Sequence, residues 1–221
     1  MTQMSLEEFK QRMQDEQFSP GWEAIETEFV RIYGEIQPAH YGTNMLSRAM
    51  FGGDQYLDGY SIYTSEKGYK HIVTFGMTEL YADEKAFGGE WNRWGYEMTF
   101  KLKEEDNENC MWVLDMLSNL ARYTNTQERY LEPFQYISGN GTSIHTGTES
   151  SITALFCIRD TEANTLDTVY GRTDFVQLVG ITEQELNVLI ADSSKGAALF
   201  ELIKQDNPDL VTDMKRTKSY F

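Results

Sequence analysis

Apolar positions recur along this chain with two periods, and the switches between them divide it into elements. Leu6, Phe9 and Met13 share one helical face at spacings of three and four. Ahead of them, Ser5-Leu6-Glu7-Glu8 forms a capping box that closes exposed backbone amides. Ser19-Pro20 opens a second helix, since proline at the first helical position loses no hydrogen bond. Trp22, Ile25, Phe29 and Ile32 give that helix an apolar stripe, and Gly34 and Pro38 bracket its end. The period then changes to two. Tyr60 to Tyr63 and His71 to Phe75 read as strands, punctuated by Gly52-Gly53, Asp58-Gly59 and Gly76. From Tyr96 to Leu102, Tyr96, Met98, Phe100 and Leu102 alternate with Glu97, Thr99 and Lys101, which predicts one buried and one wet face. On that wet face, Glu97 and Lys101 are expected in cross-strand charge pairs.

Beyond a charged loop from Lys103 to Asn109, helical spacing returns in two adjoining stripes, Val113-Leu117-Leu120 and Leu114-Leu117-Ala121. Ser138-Gly139-Asn140-Gly141 is a turn, with Asn140-Gly141 suited to positive φ. Ile152 to Ile158 and Phe175 to Val179 predict core strands. Thr182 and Glu185 form a second capping box for a helix through Leu186 and Leu189, and Ala197 to Gln205 predicts the last helix. Gly76 and Gly180 are expected to end strands. Helices and strands alternate without a regular βαβ repeat. The expected fold class is therefore α+β, with a mixed, mainly antiparallel sheet packed with helices. Residues 1–221 are expected to form a single domain, with 1–20 as a peripheral amino-terminal helix.

Composition narrows the function. The chain has 221 residues, with 19 Lys and Arg against 35 Asp and Glu, for a formal charge of −16. That field has the wrong sign for phosphate, so no nucleic-acid partner is expected, whereas a basic protein partner suits it. The apolar runs fall far short of the ~18–20 residues that span a bilayer, so no membrane is expected. The first residues lack a basic n-region and an apolar h-region, and Cys110 and Cys157 cannot build a disulfide framework. A cytoplasmic protein is the expectation. His40, His71 and His145 lie far apart and outside any paired metal spacing, there is no C-x-x-C, P-loop or G-x-S-x-G, and the Asp106 loop lacks a calcium loop's glycine. Glu79 and Glu97 could serve as an acid–base pair if the fold brought them together, but carboxylates are abundant here and chance proximity is expected. No cofactor, metal site or catalytic residue is expected, and no enzyme.

Six motifs then converge. Phe75-Gly76-Met77-Thr78-Glu79-Leu80-Tyr81 and Gly95-Tyr96-Glu97-Met98-Thr99-Phe100-Lys101-Leu102 resemble two signatures of the Suppressor of fused family. Gly52-Gly53 with Leu57-Asp58-Gly59, Leu120-Ala121-Arg122-Tyr123, Phe175 to Glu185, and Leu210-Val211-Thr212-Asp213-Met214-Lys215-Arg216 are similar to four more, in the family's order. The chain departs from the pattern at Tyr56, where the family often has proline, and beside His71, where it often has tryptophan. The resemblance implies the fold of that family's amino-terminal lobe and a non-catalytic, protein-binding role. In animals, members sequester Gli transcription factors in Hedgehog signalling by adding the peptide as a strand between two lobes. Only one lobe is matched here, and stand-alone bacterial versions are associated with immunity proteins that neutralise polymorphic toxins. A protein or peptide partner is implied, a basic toxin domain first and a strand-adding regulatory peptide as the alternative. The residue carried over for partner binding is Asp83, with Tyr81 and Tyr69 beside it as aromatic contacts.

Overall fold

A computed structural model describes residues 4–43 and 56–221; the Gly52-Gly53 pair falls outside them. Helix α1 (Leu6–Arg12) begins at Ser5, whose side chain accepts from the Glu8 amide, and α2 (Pro20–Tyr33) ends at Gly34 with φ 73°. The strands are β1 (Ala39–Gly42), β2 (Gly59–Ser65), β3 (Tyr69–Phe75), β4 (Trp91–Leu102), β5 (Tyr136–Ser138), β6 (Ile152–Arg159), β7 (Leu166–Thr168) and β8 (Gly171–Thr182). Helix α3 (Met111–Gln127) follows β4 through one 3₁₀ turn at Asn107–Cys110, where a charged loop is predicted. Helix α4 (Glu183–Ala191) starts at the Thr182–Glu185 capping box, with both reciprocal bonds made, and α5 (Gly196–Asp206) comes last. Asn140 (φ 55°) and Gly141 (φ 76°) form the predicted turn.

The strands make one sheet in the order β1-β2-β3-β4-β8-β6-β5, with β7 hairpinned onto β8. Among the named strands of the described residues, only β4 and β8 pair in parallel and the other ladders are antiparallel, with one further parallel bridge between Leu102 and Thr212. The three short strands β1, β5 and β7 escape the sequence reading because three or four residues carry too little periodicity to stand out. Helix α3 covers one face, packing Val113, Leu117 and Ala121 on Ile62, Ile72, Met98 and Phe100. On the other face, α2 packs Ile25 and Phe29 on Tyr63, Val73, Phe75 and Phe175. Helices α4 and α5 cover the rest of that face through Leu186, Leu189, Leu199 and Ile203.

Because both faces are covered, the predicted wet face of β4 does not exist: Glu97, Thr99 and Lys101 are fully buried. Glu97 and Lys101 are also not in cross-strand charge pairs. Lys101 instead reaches the loop after β6, 2.8 Å from Glu162 and 3.4 Å from Asp160, and donates to Thr161 Oγ1. Asp160 accepts from Thr99 (2.6 Å), lies 2.9 Å from His71 Nε2 and takes the amides of Glu162 and Ala163. Tyr33 bonds the other ring nitrogen of His71, at 2.8 Å. Burial opposes the Asp160 charge, but His71, Lys101 and Thr99 hold the carboxyl well below its usual range. Burial likewise opposes the Glu162 charge, and Lys101, Tyr69 and Lys67 overcome it, bringing this carboxyl down to about 2. Gly180 also differs from expectation: it lies within β8, and a side chain there would strike Ile152 Cγ2 at 2.5 Å and Thr212 Cγ2 at 2.6 Å.

Lys101→Met removes the buried cation shared by Asp160 and Glu162, leaving Asp160 to His71 and Glu162 to Lys67, and is expected to cost about 3 kcal/mol in urea unfolding. The Glu162 carboxyl is more acidic folded than unfolded, so its contribution is present at neutral pH and lost in acid. The stability advantage over Glu162→Gln should be full above pH 4.5 and vanish as pH falls through about 2.

Candidate protein-interaction site

The site is built on Glu97. Its buried carboxylate accepts from Thr74 Oγ1 (2.6 Å), Thr78 Oγ1 (2.6 Å) and the amides of Gly76 (3.1 Å), Thr78 (3.0 Å) and Met77 (3.3 Å). These donors come from the end of β3 and from the loop that follows it. The chain wraps around the carboxylate because Gly76 adopts φ 123°, with a would-be Cβ 2.8 Å from the Asp58 amide nitrogen. Burial pushes this carboxyl above its ordinary range, and the threonine hydroxyls and the Thr78 and Gly76 amides oppose the rise.

Other anchors hold the same loop. The amides of Gly21 and Trp22, in the first turn of α2, both donate to Leu80 O (3.1 and 3.2 Å). Gly21 allows that approach, since a Cβ there would lie 1.9 Å from Glu79 O. Asn92 Oδ1 accepts from the Glu79 amide (2.7 Å), and Arg93 donates to Gly76 O (2.8 Å). Both residues belong to a bulge in β4, where the register to β8 shifts between Trp91 and Tyr96, with Arg93 at φ 53° and Gly95 at φ 80°. Tyr170 donates to Tyr81 O (2.5 Å) and accepts from the Asp83 amide (3.1 Å). Its ring packs on Phe9 of α1, which fixes that helix against the loop.

This frame presents Tyr81, 51% exposed, and Trp91, 48% exposed, at the same end of the sheet. Arg172 lies over the Trp91 ring at 5.2 Å. Asp83 is half-buried and caps the 3₁₀ turn Glu84–Ala86, with Oδ1 accepting from the Lys85 amide at 2.9 Å. Tyr81 and Asp83 therefore stand together. Tyr69 does not join them: it starts β3, whereas their loop follows its end, about 20 Å away at a strand's rise per residue. It is buried, with its hydroxyl donating to Glu162 at 2.6 Å.

Sequence reasoning missed Gly21, Asn92, Arg93, Tyr170 and Trp91 as parts of this site. Gly21 carries a usable signal, a glycine in a helical first turn where alanine is favoured; the rest depend on long-range pairing. Glu97 is saturated with donors, so it offers no free base to pair with Glu79. Burial pushes the Cys110 and Cys157 thiols up to about 11 and about 12, far from a nucleophilic thiolate at neutral pH. Among the described residues no cluster of His, Cys, Asp or Glu is arranged to hold a metal ion, and no helix is long and apolar enough to cross a membrane.

Glu97→Gln keeps the shape but exchanges one acceptor oxygen for a donor facing other donors. It should lower stability in urea by about 1–3 kcal/mol, whereas Asp83→Asn, which preserves the cap, should change it by less than about 0.5 kcal/mol.

The Suppressor of fused protein (SUFU) family model matches residues 53–217. Relatives from Homo sapiens and Mus musculus, each named Suppressor of fused homolog, are 29% identical over 91% of this chain. The match covers 44% of each relative, so this chain spans less than half the length of those curated relatives. The crystal structure of Drosophila Suppressor of Fused superposes with a TM-score of 0.78 at 26% identity, over 92% of this chain and 52% of that one. A chain of the Sufu–Fu complex gives 0.79 at 24% identity, over 92% and 93%. A Suppressor of fused homologue from Neisseria gonorrhoeae FA 1090 gives 0.61 at 13%, over 91% and 97%, a likeness of fold. With the family model covering most of the chain and the two motifs joined at Glu97, the chain belongs to the Suppressor of fused family.

Proposed function

We propose that this chain is a non-catalytic protein-binding domain that acts as an immunity protein, neutralising a basic toxin domain through the surface carrying Tyr81 and Asp83. The observation that carries the reading is the exposed Tyr81 on a loop fixed from several directions, with Trp91 of β4 exposed at the same end of the sheet. Large aromatics held rigid in the free protein lose little entropy on binding, which is why such residues dominate interface energetics. The family match, and a structural relative crystallised in a Sufu–Fu complex, support a protein partner. The charge of −16 supports a basic one, because long-range attraction accelerates encounter. In this reading the protein works in the cytoplasm and the chain acts as one unit, with α1 docked through Phe9 beside the binding loop. Tyr69, buried at the far end of β3, serves the partner only indirectly by holding Glu162.

The test is to recover the tagged protein from its own native lysate at low and moderate salt and identify what comes with it. A stoichiometric basic toxin is expected, with an association rate that falls about tenfold or more as salt shortens the screening length. Tyr81→Ala should weaken that complex by at least about tenfold, and Asp83→Asn should slow association without changing the melting temperature. A stoichiometric partner that is not a toxin contradicts the immunity role, and a complex indifferent to Tyr81→Ala contradicts the surface.

A further inference from the structure

Helix α3 carries a second apolar row beside its buried stripe. Trp112, Met116 and Leu120 are half-buried and line a groove of about 400 Å³. Its floor is Ile137 of β5 and Leu155 of β6, and its far wall is the 142–146 loop with Ile144. At one end, Trp112 stacks on His145, with centroids 4.6 Å apart and planes within 7°. The stack also borders a second groove of about 560 Å³, whose lining includes Glu104, Glu108 and Met214.

The groove runs beside an open sheet edge. Among the described residues β5 is the last strand on its side and pairs only with β6. The bonds from Gly139 N to Thr153 O and from Cys157 N to Gln135 O turn residues 135, 137 and 139 inward. Antiparallel alternation then points the N–H and C=O groups of Tyr136 and Ser138 outward, where no backbone group of the described residues meets them. Ile137 faces the α3 side with Leu155, whereas Tyr136 faces α4 and α5. Charge along the two grooves is mainly negative: Asp115, Glu104 and Glu108, against Lys215 and a Lys103 already paired to Asp213 at 2.8 Å.

We propose that the β5 edge is a second docking site, for an extended cationic segment of a protein partner. The segment pairs through the outward backbone groups of Tyr136 and Ser138. Its residue opposite Ile137 places an aliphatic side chain between Met116 and Leu120, and the next residues on that face are Lys or Arg, meeting Asp115. A second copy of this chain is the poorer occupant, because each copy brings a charge of −16. The site lies at the opposite side of the sheet from β1 and does not depend on Tyr81 or on the immunity reading.

The probe is the acetylated, amidated pentapeptide Lys-Thr-Leu-Thr-Lys, titrated at millimolar concentration into the isotopically labelled full chain and followed by amide NMR shifts. Shifts are expected at Tyr136, Ile137, Ser138, Met116 and Leu120, fading as salt rises. Replacing the peptide's leucine by alanine should weaken binding about tenfold or more. N-methylating either threonine amide should abolish it, since those residues face Tyr136 and Ser138, and N-methylating the leucine amide should change it by less than about twofold. Leu120→Lys should abolish the shifts, Asp115→Lys should weaken them in a chain with a native spectrum, and Tyr81→Ala should leave them intact. Absence of shifts with the pentapeptide, equal binding by Glu-Thr-Leu-Thr-Glu, shifts centred on Tyr81, or concentration-dependent shifts at residues 136–138 without peptide would each overturn the proposal.

Discussion

A single buried carboxylate, Glu97, joins the sheet to the loop that presents Tyr81. An isolated carboxylate in an apolar interior is costly, so a chain that keeps one must bring donors to it. This chain brings three amides and two hydroxyls from residues 74–78, which fixes the path of the backbone as it leaves β3. The loop's geometry then follows from the anion's needs. Gly76 turns because the amides must converge, the β4 bulge supplies Asn92 and Arg93 to the loop's other edge, and the first turn of α2 closes over Leu80 O.

The second face of β4 carries two polar centres with different tasks. Near its end, Lys101 and the Asp160–Glu162 loop close the sheet beneath α2 and tie β6 to β3 through His71. Near its middle, Glu97 builds a surface. The two family motifs around Gly76 and Gly95 are thus two halves of one hydrogen-bonded unit: Gly76 and Thr78 donate from one strand end, and Glu97 accepts from the next strand. A substitution in either half acts on the same loop.

Much of the architecture was legible in the sequence. Capping residues at Ser5 and Thr182, proline at the start of α2 and the Asn140-Gly141 turn each act locally, so reading them needs no knowledge of neighbours. The mixed, mainly antiparallel sheet followed from the absence of a βαβ rhythm. Alternation in β4 misled because Glu97, Thr99 and Lys101 look like a solvent face, and only the partners Thr78, Asp160 and Glu162, distant in sequence, make them a core. At the candidate site, Tyr81 and Asp83 were placed together, while Tyr69 lies at the far end of its strand and Trp91 enters through a bulge that periodicity does not reveal.

Everything proposed for the Tyr81 loop requires that it be rigid before any partner arrives, which native-state hydrogen exchange measures directly. The amides of Gly76 and Thr78, bound to Glu97, and of Gly21 and Trp22, bound to Leu80, should exchange as slowly as those of Ile72 and Met98 in the central strands, through global unfolding alone. Fast exchange at these amides while Ile72 and Met98 stay protected would mean that the loop opens independently and that no pre-formed surface exists.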